Sequence, residues 1–213
     1  LAGLNPSGVI CEVMKDDGTM ARLDDLIPFA ARHKIKIATI RDLIAYRRRH
    51  DHIVERRAET TFQSQWGGDW KAISFYNKAT RTEQLVLQKG HVDPDTPTLV
   101  RMHQFSPLTD TFGKQGSRAG LLQRSMEIIS AEGAGIIVLL HGDEPDILTR
   151  MLQQNAGIAV GDMDELRNYG AGAQILAELG VHDMVLLTNS HHNLIALDGY
   201  DLSVVGERPI SGV

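Results

Sequence analysis

The chain has 213 residues, 42% hydrophobic and 23% charged, enough for one large domain or for one domain plus part of another. Its formal net charge of -5 gives no general electrostatic reason to bind nucleic acid. No stretch has the length of a membrane span, and the N-terminus lacks a basic segment followed by an apolar one, so the composition reads as cytoplasmic, without membrane or nucleic-acid partners.

The opening Leu1-Ala-Gly-Leu-Asn-Pro6 has no initiator methionine and reads as the middle of a longer polypeptide. Val9 to Met14 reads as a buried strand, Asp16-Asp-Gly18 as a turn and Ala21 to His33 as an amphipathic helix. Ile35 to Thr39 follows as a strand, and Ile40 to Arg49 as a closing helix whose basic end, Tyr46 to His50, is solvated. Cys11, the single cysteine, can form no intrachain disulfide and is expected as a buried small residue.

From His52 the pattern changes to short alternating runs, Ile53 to Gln65, Trp70 to Asn77 and Glu83 to Lys89, with turn signals at Gly67-Gly68 and Ala79-Thr80. This predicts an antiparallel meander in which Trp66, Trp70 and Phe75 pack the sheet. Pro94 and Pro97 mark a loop before a strand over Leu99 to His103. Helix Leu121 to Glu132, strand Gly135 to Leu140, helices Asp146 to Gln154 and Asn168 to Leu179, and strands Val181 to Thr188 and Leu202 to Glu207 then alternate. The class is therefore mixed α/β, with a meander followed by an α/β layer.

The segment from Gly8-Val-Ile-Cys-Glu12 through Asp17-Gly-Thr-Met-Ala-Arg22 to Ile40-Arg-Asp-Leu-Ile-Ala-Tyr-Arg47 resembles the C-terminal end of 3,4-dihydroxy-2-butanone 4-phosphate synthase. The resemblance implies that residues 1–50 are a fragment of that domain, with Glu12 at the position of a family active-site acid. The intact synthase uses Mg²⁺ and acidic ligands that match nothing in this chain. Glu12 is accordingly expected as a remnant, because chemistry on a sugar phosphate needs several groups held together.

Val100 to Gly120, VRMHQFSPLTDTFGKQGSRAG, resembles the metal loop of GTP cyclohydrolase II, V-R-x-H-S-E-C-x-T-G-D-x-F-G-S-x-R-C-D-C-G. Arg101, His103, Asp110, Phe112, Gly113 and Gly120 match, while the three zinc cysteines of the family fall on Ser106, Ser117 and Ala119. Neither a neutral hydroxyl nor a methyl replaces a thiolate as a zinc ligand. His103 is expected as a packed or hydrogen-bonded remnant of that loop.

A second stretch, Leu166-Arg-Asn-Tyr-Gly-Ala-Gly-Ala-Gln-Ile-Leu176, resembles L-R-D-Y-G-I-G-A-Q-I-L of the same family, and the likeness runs on to Ile210. It implies a GTP cyclohydrolase II-like domain over residues 52–213, with Arg167 and Glu165 at catalytic positions and Arg101, Arg167 and Thr188 at phosphate contacts. Arg167 can equally be a helix-start residue paired with Glu165 or Asp164. Where the family carries R-Q-E-G-R-G-I-G-L, this chain has His141-Gly-Asp-Glu-Pro145, and T-N-N-P-x-K becomes Thr188-Asn-Ser-His-His192. A basic phosphate contact has turned acidic, which opposes a triphosphate. His141, His191 and His192 read as loop or surface histidines, since their spacing sets no third ligand for a metal.

The resemblance places the chain in the bifunctional riboflavin-biosynthesis family, as a homodimer with an attached synthase domain and a possible nucleotide or phosphate ligand. No cofactor is expected in the chain, although the parent cyclohydrolases use zinc. The expected function is a structural or regulatory module without GTP hydrolysis. The alternatives are an active enzyme with a rebuilt site, converting GTP to formate, diphosphate and a diaminopyrimidine phosphate, and a sensor that keeps an anion pocket around Arg101 and Arg167.

Overall fold

The computed structural model describes residues 4–5, 7–43, 46, 53–78, 80–141, 146–158, 165–189 and 200–211, with the backbone alone for 165–169. The chain divides into two compact units, Leu1–Leu43 and Ile44–Val213.

The first unit is built on helix α1, Leu23–His33. Asp25 starts it by accepting the backbone N–H of Arg22 at 2.9 Å, and Lys34 ends it in the left-handed region at φ 54°. Its apolar side chains Leu23, Ile27 and Phe29 remain exposed and only Ala30 is buried. Forty-odd residues close too little surface to make a core alone, which is why an amphipathic helix forms here without burying its face.

Two expected strands are absent from this unit. Val9 and Ile10 are 99% and 94% exposed, and the segment's one ladder contact is an isolated antiparallel bridge between Met14 and Met20. Ile35 to Thr39 is also exposed and not extended into a ladder. A strand exists by pairing, and the described residues of this unit offer these segments no sheet. Cys11 is exposed for the same reason, against the expectation of burial. Ile40 to Leu43 and Tyr46 are helical as expected, and the rest of that predicted helix lies outside the described residues.

The second unit is a seven-stranded sheet in the order β1-β2-β3-β5-β4-β6-β7. The strands are β1 Val54–Ser64, β2 Gly68–Asn77, β3 Thr82–Lys89, β4 Thr98–Gln104, β5 Gly135–Leu140, β6 Asp183–Leu187 and β7 Ser203–Arg208. β1, β2, β3 and β5 pair antiparallel, while β5, β4, β6 and β7 run parallel. The meander and the alternating half therefore share one sheet, hinged on β5. Its sequence, Gly-Ile-Ile-Val-Leu-Leu, is buried throughout, as a strand covered on both faces must be.

Helix α2, Leu121–Glu132, places Leu121, Leu122, Met126 and Ile129 at helical spacing against Trp70, Leu99, Ile137 and Leu139. Gly133 ends it at φ 88°, its N–H donating to Ile129 and Ser130 carbonyls. On the opposite face, Ala173, Ile175 and Leu176 of α4, Glu165–Glu178, join Ile73, Phe75, Val100, Met102 and Val138. Each fully buried aliphatic side chain in these layers contributes about 1.5–3 kcal/mol of transfer free energy. Trp70 and Phe75 are buried, and Trp66 packs partly buried against the cluster that holds Trp70, as expected for sheet packing. A further helix, α3, Ile147–Asn155, buries none of its residues.

Candidate functional site

The parallel strands β4 and β5 end side by side, and the chain leaves β4 through Phe105 and Ser106 into a single π-helical turn, Pro107–Thr111. One carboxylate holds that turn: Asp110 Oδ2 accepts the Ser106 backbone N–H at 2.7 Å and lies 3.0 Å from His103 Nε2. Gln123 of α2 donates to the Asp110 carbonyl at 2.9 Å, tying the turn to the helix beneath it. Ser106 is thereby fixed, and its hydroxyl donates to the thioether of Met151 on α3 at 3.6 Å. His103 is fully buried, in keeping with a hydrogen-bonded loop remnant.

Between this turn and α3 lies a cavity of about 330 Å³. Phe105, Leu108, Ile147, Leu148 and Met151 give it apolar walls, and Lys114 and Arg118 bring two cations from the loop before α2. Arg118 is held by donating to the Gln104 carbonyl at 2.6 Å. His141, just after β5, tilts its ring against Phe105 with centroids 5.1 Å apart. Burial pushes its imidazole below the usual histidine range, partly offset by the Leu139 backbone, so it stands neutral. Gln84 fixes its backbone on both sides, accepting the His141 N–H at 2.7 Å and donating to its carbonyl at 3.2 Å. The carboxyl end of parallel strands is where α/β sheets present ligand sites.

The predicted site residues divide by element. Arg101, half-buried on β4, donates to the Leu187 carbonyl at 2.9 Å, which brings its guanidinium beside Thr188 at the end of β6. Thr188 is buried, its backbone N–H donating to the Arg208 carbonyl at 3.0 Å. Glu165 and Arg167 lie on the first turn of α4, which starts three residues before the predicted Asn168; their side chains lie outside the described residues, as do Asp164, His191 and His192. Glu12 is exposed in the first unit.

Ser117 is exposed and Ala119 half-buried in the turn before α2, and the Ser106 hydroxyl already serves the Met151 sulfur. Two neutral hydroxyls and a methyl do not fit zinc. Among the described residues no group of three or more His, Cys, Asp or Glu is placed to hold a metal ion. Sequence reasoning passed over Lys114, Arg118 and Met151 as a group. Their only signal was two cations in a loop whose family counterpart is read for its cysteines.

Fold and site together define a mixed α/β sheet protein with a small cation-bearing pocket at the ends of its parallel strands. The GTP cyclohydrolase II family model matches residues 55–209, and that of 3,4-dihydroxy-2-butanone 4-phosphate synthase matches residues 1–46. The chain belongs to the GTP cyclohydrolase II family, in the bifunctional form in which a synthase segment precedes that domain in riboflavin-biosynthesis proteins.

It is 41% identical to the riboflavin biosynthesis protein RibBA of Aquifex aeolicus, over 99% of this chain and 55% of that protein. It is 39% identical to RibBA of a Bacillus cereus strain, over 99% of this chain and 56% of that protein. The chain thus spans about half the length of the curated relatives it matches. Among solved structures it is similar to RibBX of A. baumannii, a two-domain 3,4-dihydroxy-2-butanone 4-phosphate synthase, with TM-score 0.55 and 32% identity over 93% of this chain and 52% of that one. No helix among the described residues is long and apolar enough to cross a membrane.

Proposed function

We propose that residues 52–213 form a GTP cyclohydrolase II-like domain that does not hydrolyse GTP, and that residues 1–50 complete an attached 3,4-dihydroxy-2-butanone 4-phosphate synthase domain. The module serves that synthase as a structural or regulatory partner, in a cytoplasmic homodimer. The contact of Ser106 with Met151 carries the reading: at a position where the resemblance implies a thiolate, a hydroxyl faces a thioether instead. In the parent family zinc supplies the hydrolytic chemistry, so losing thiolates at all three positions removes it. The solved relative supports the same division, since the RibBX structure is described as two domains with one named activity, that of the synthase. Arg101 and Arg167 are the retained anion-binding groups of this reading, and Glu12 and Glu165 its vestigial acids.

The test is zinc content and formate release from GTP by the purified chain with added zinc. The expected result is neither bound zinc nor turnover. Stoichiometric zinc with formate release would establish an active cyclohydrolase with a rebuilt site. In the full-length protein, removing residues 52–213 is expected to lower synthase activity or the oligomeric state. Unchanged synthase activity and assembly would sink the partner role.

A further inference from the structure

We propose that the cavity between the π turn and α3 binds an amphipathic organic monoanion, a single apolar ring system bearing one carboxylate or sulfonate group, without a metal. The proposal rests on the reading of a silent domain and names the ligand class that its pocket takes.

Size sets the first bound. At about 330 Å³ the cavity is at the small end of ligand sites, suited to one or two rings and not to a nucleoside carrying three phosphates. The walls set the second. Ile147 and Met151 lie one turn apart on α3, with Leu148 between them, and face Leu108 and Phe105 across the space. An apolar surface of this kind recovers about 25 cal/mol for each Å² removed from water and gives nothing to a fully polar guest such as inorganic phosphate.

Charge sets the third. Lys114 and Arg118 are the charged side chains among the described lining residues, none of which is a carboxylate. Both are exposed at the mouth, where a cation contributes modestly, and Arg118 is oriented in advance by the Gln104 carbonyl. Two such groups match a single anionic head. They fall short of a triphosphate, whose repeated charges need several cations or a metal. His141 adds a neutral imidazole, and Gln154 and Asn155 add amides that pair with ring heteroatoms at no charge cost.

The experiment uses the whole chain and two probes, 8-anilinonaphthalene-1-sulfonate and its uncharged relative N-phenyl-1-naphthylamine, followed by fluorescence titration and by methyl NMR of ¹³C-methyl-methionine protein. The expected result is one saturable sulfonate site that shifts the Met151 methyl, identified with Met151→Leu. Lys114→Ala with Arg118→Ala should weaken the sulfonate by about tenfold and leave the neutral probe within about twofold. Should that pair compromise folding, Lys114→Glu alone, on an exposed loop, should weaken the sulfonate and spare the neutral probe. Sulfonate binding that perturbs only Met14 and Met20, on the exposed apolar first unit, would overturn the proposal, as would equal loss of both probes in the charge variants. GTP turnover measured on the same preparation separates the two readings: turnover sinks the silent domain, whereas absent turnover with no anion preference sinks the pocket alone.

Discussion

His103 Nε2 and Asp110 Oδ2 lie 3.0 Å apart with their side chains 1% and 2% exposed, a buried polar pair joining the end of β4 to the π turn that follows it. Asp110 also accepts the part-buried Ser106 N–H, so its removal leaves two groups without their partner at once. Asp110→Ala is expected to cost about 2–4 kcal/mol in urea denaturation. A double-mutant cycle with His103→Ala should return a coupling of more than about 1 kcal/mol. Additive costs would mean that the carboxylate serves Ser106 alone.

Two glycines differ in expected sensitivity. Gly135 opens β5 at φ 154°, and a Cβ there would lie 2.6 Å from the Leu99 carbonyl oxygen, which the sheet cannot move. Gly172 on α4 would place its Cβ 2.1 Å from the terminal methyl of Met102, the far end of a flexible side chain. Gly135→Ala should destabilise by about 2–4 kcal/mol through backbone strain. Gly172→Ala should cost less, because a Met102 rotamer change relieves the clash and alanine recovers about 1 kcal/mol of helix propensity. Comparable denaturation midpoints for the two variants would contradict this account.

The same contrast explains what the sequence made legible. Helix α2 and strand β5 were bounded to the residue because Leu121 to Glu132 carries an unbroken helical stripe and Gly135 to Leu140 an unbroken apolar run. Val9 to Met14 looked equally like a strand, yet apolar sequence only licenses burial and cannot supply a neighbouring strand. The resemblance located the metal loop and its missing cysteines. It could not show that Asp110 would bend that loop into a π turn, nor that Met151, forty-five residues on, would meet Ser106. Contacts of that kind depend on where β4 and β5 end in space, which no local pattern encodes.

Gln84 links the meander to the pocket. Its buried amide exchanges two hydrogen bonds with the backbone of His141, fifty-seven residues away, at the point where the chain leaves β5. Gln84→Ala leaves both backbone groups without that partner and should cost about 2–3 kcal/mol. Amide hydrogen exchange at His141 should speed up more than exchange at Ile137 in the strand interior. Uniform acceleration across β5 would indicate global destabilisation and not a local tether.

His141 also gives the fold a pH dependence of known sign. Burial holds its imidazole below the ordinary value of about 6.5, so in acid the unfolded chain takes up a proton that the folded chain resists. The stability this contributes is complete above about pH 6.5 and is lost as the pH falls through the lower folded value. His141→Gln keeps a polar side chain of similar reach and removes the titration. Between about pH 8 and pH 5 the native chain should lose more thermal stability than His141→Gln, the gap opening below about pH 6.5. Parallel melting curves at every pH would show that His141 protonates as freely in the fold as outside it.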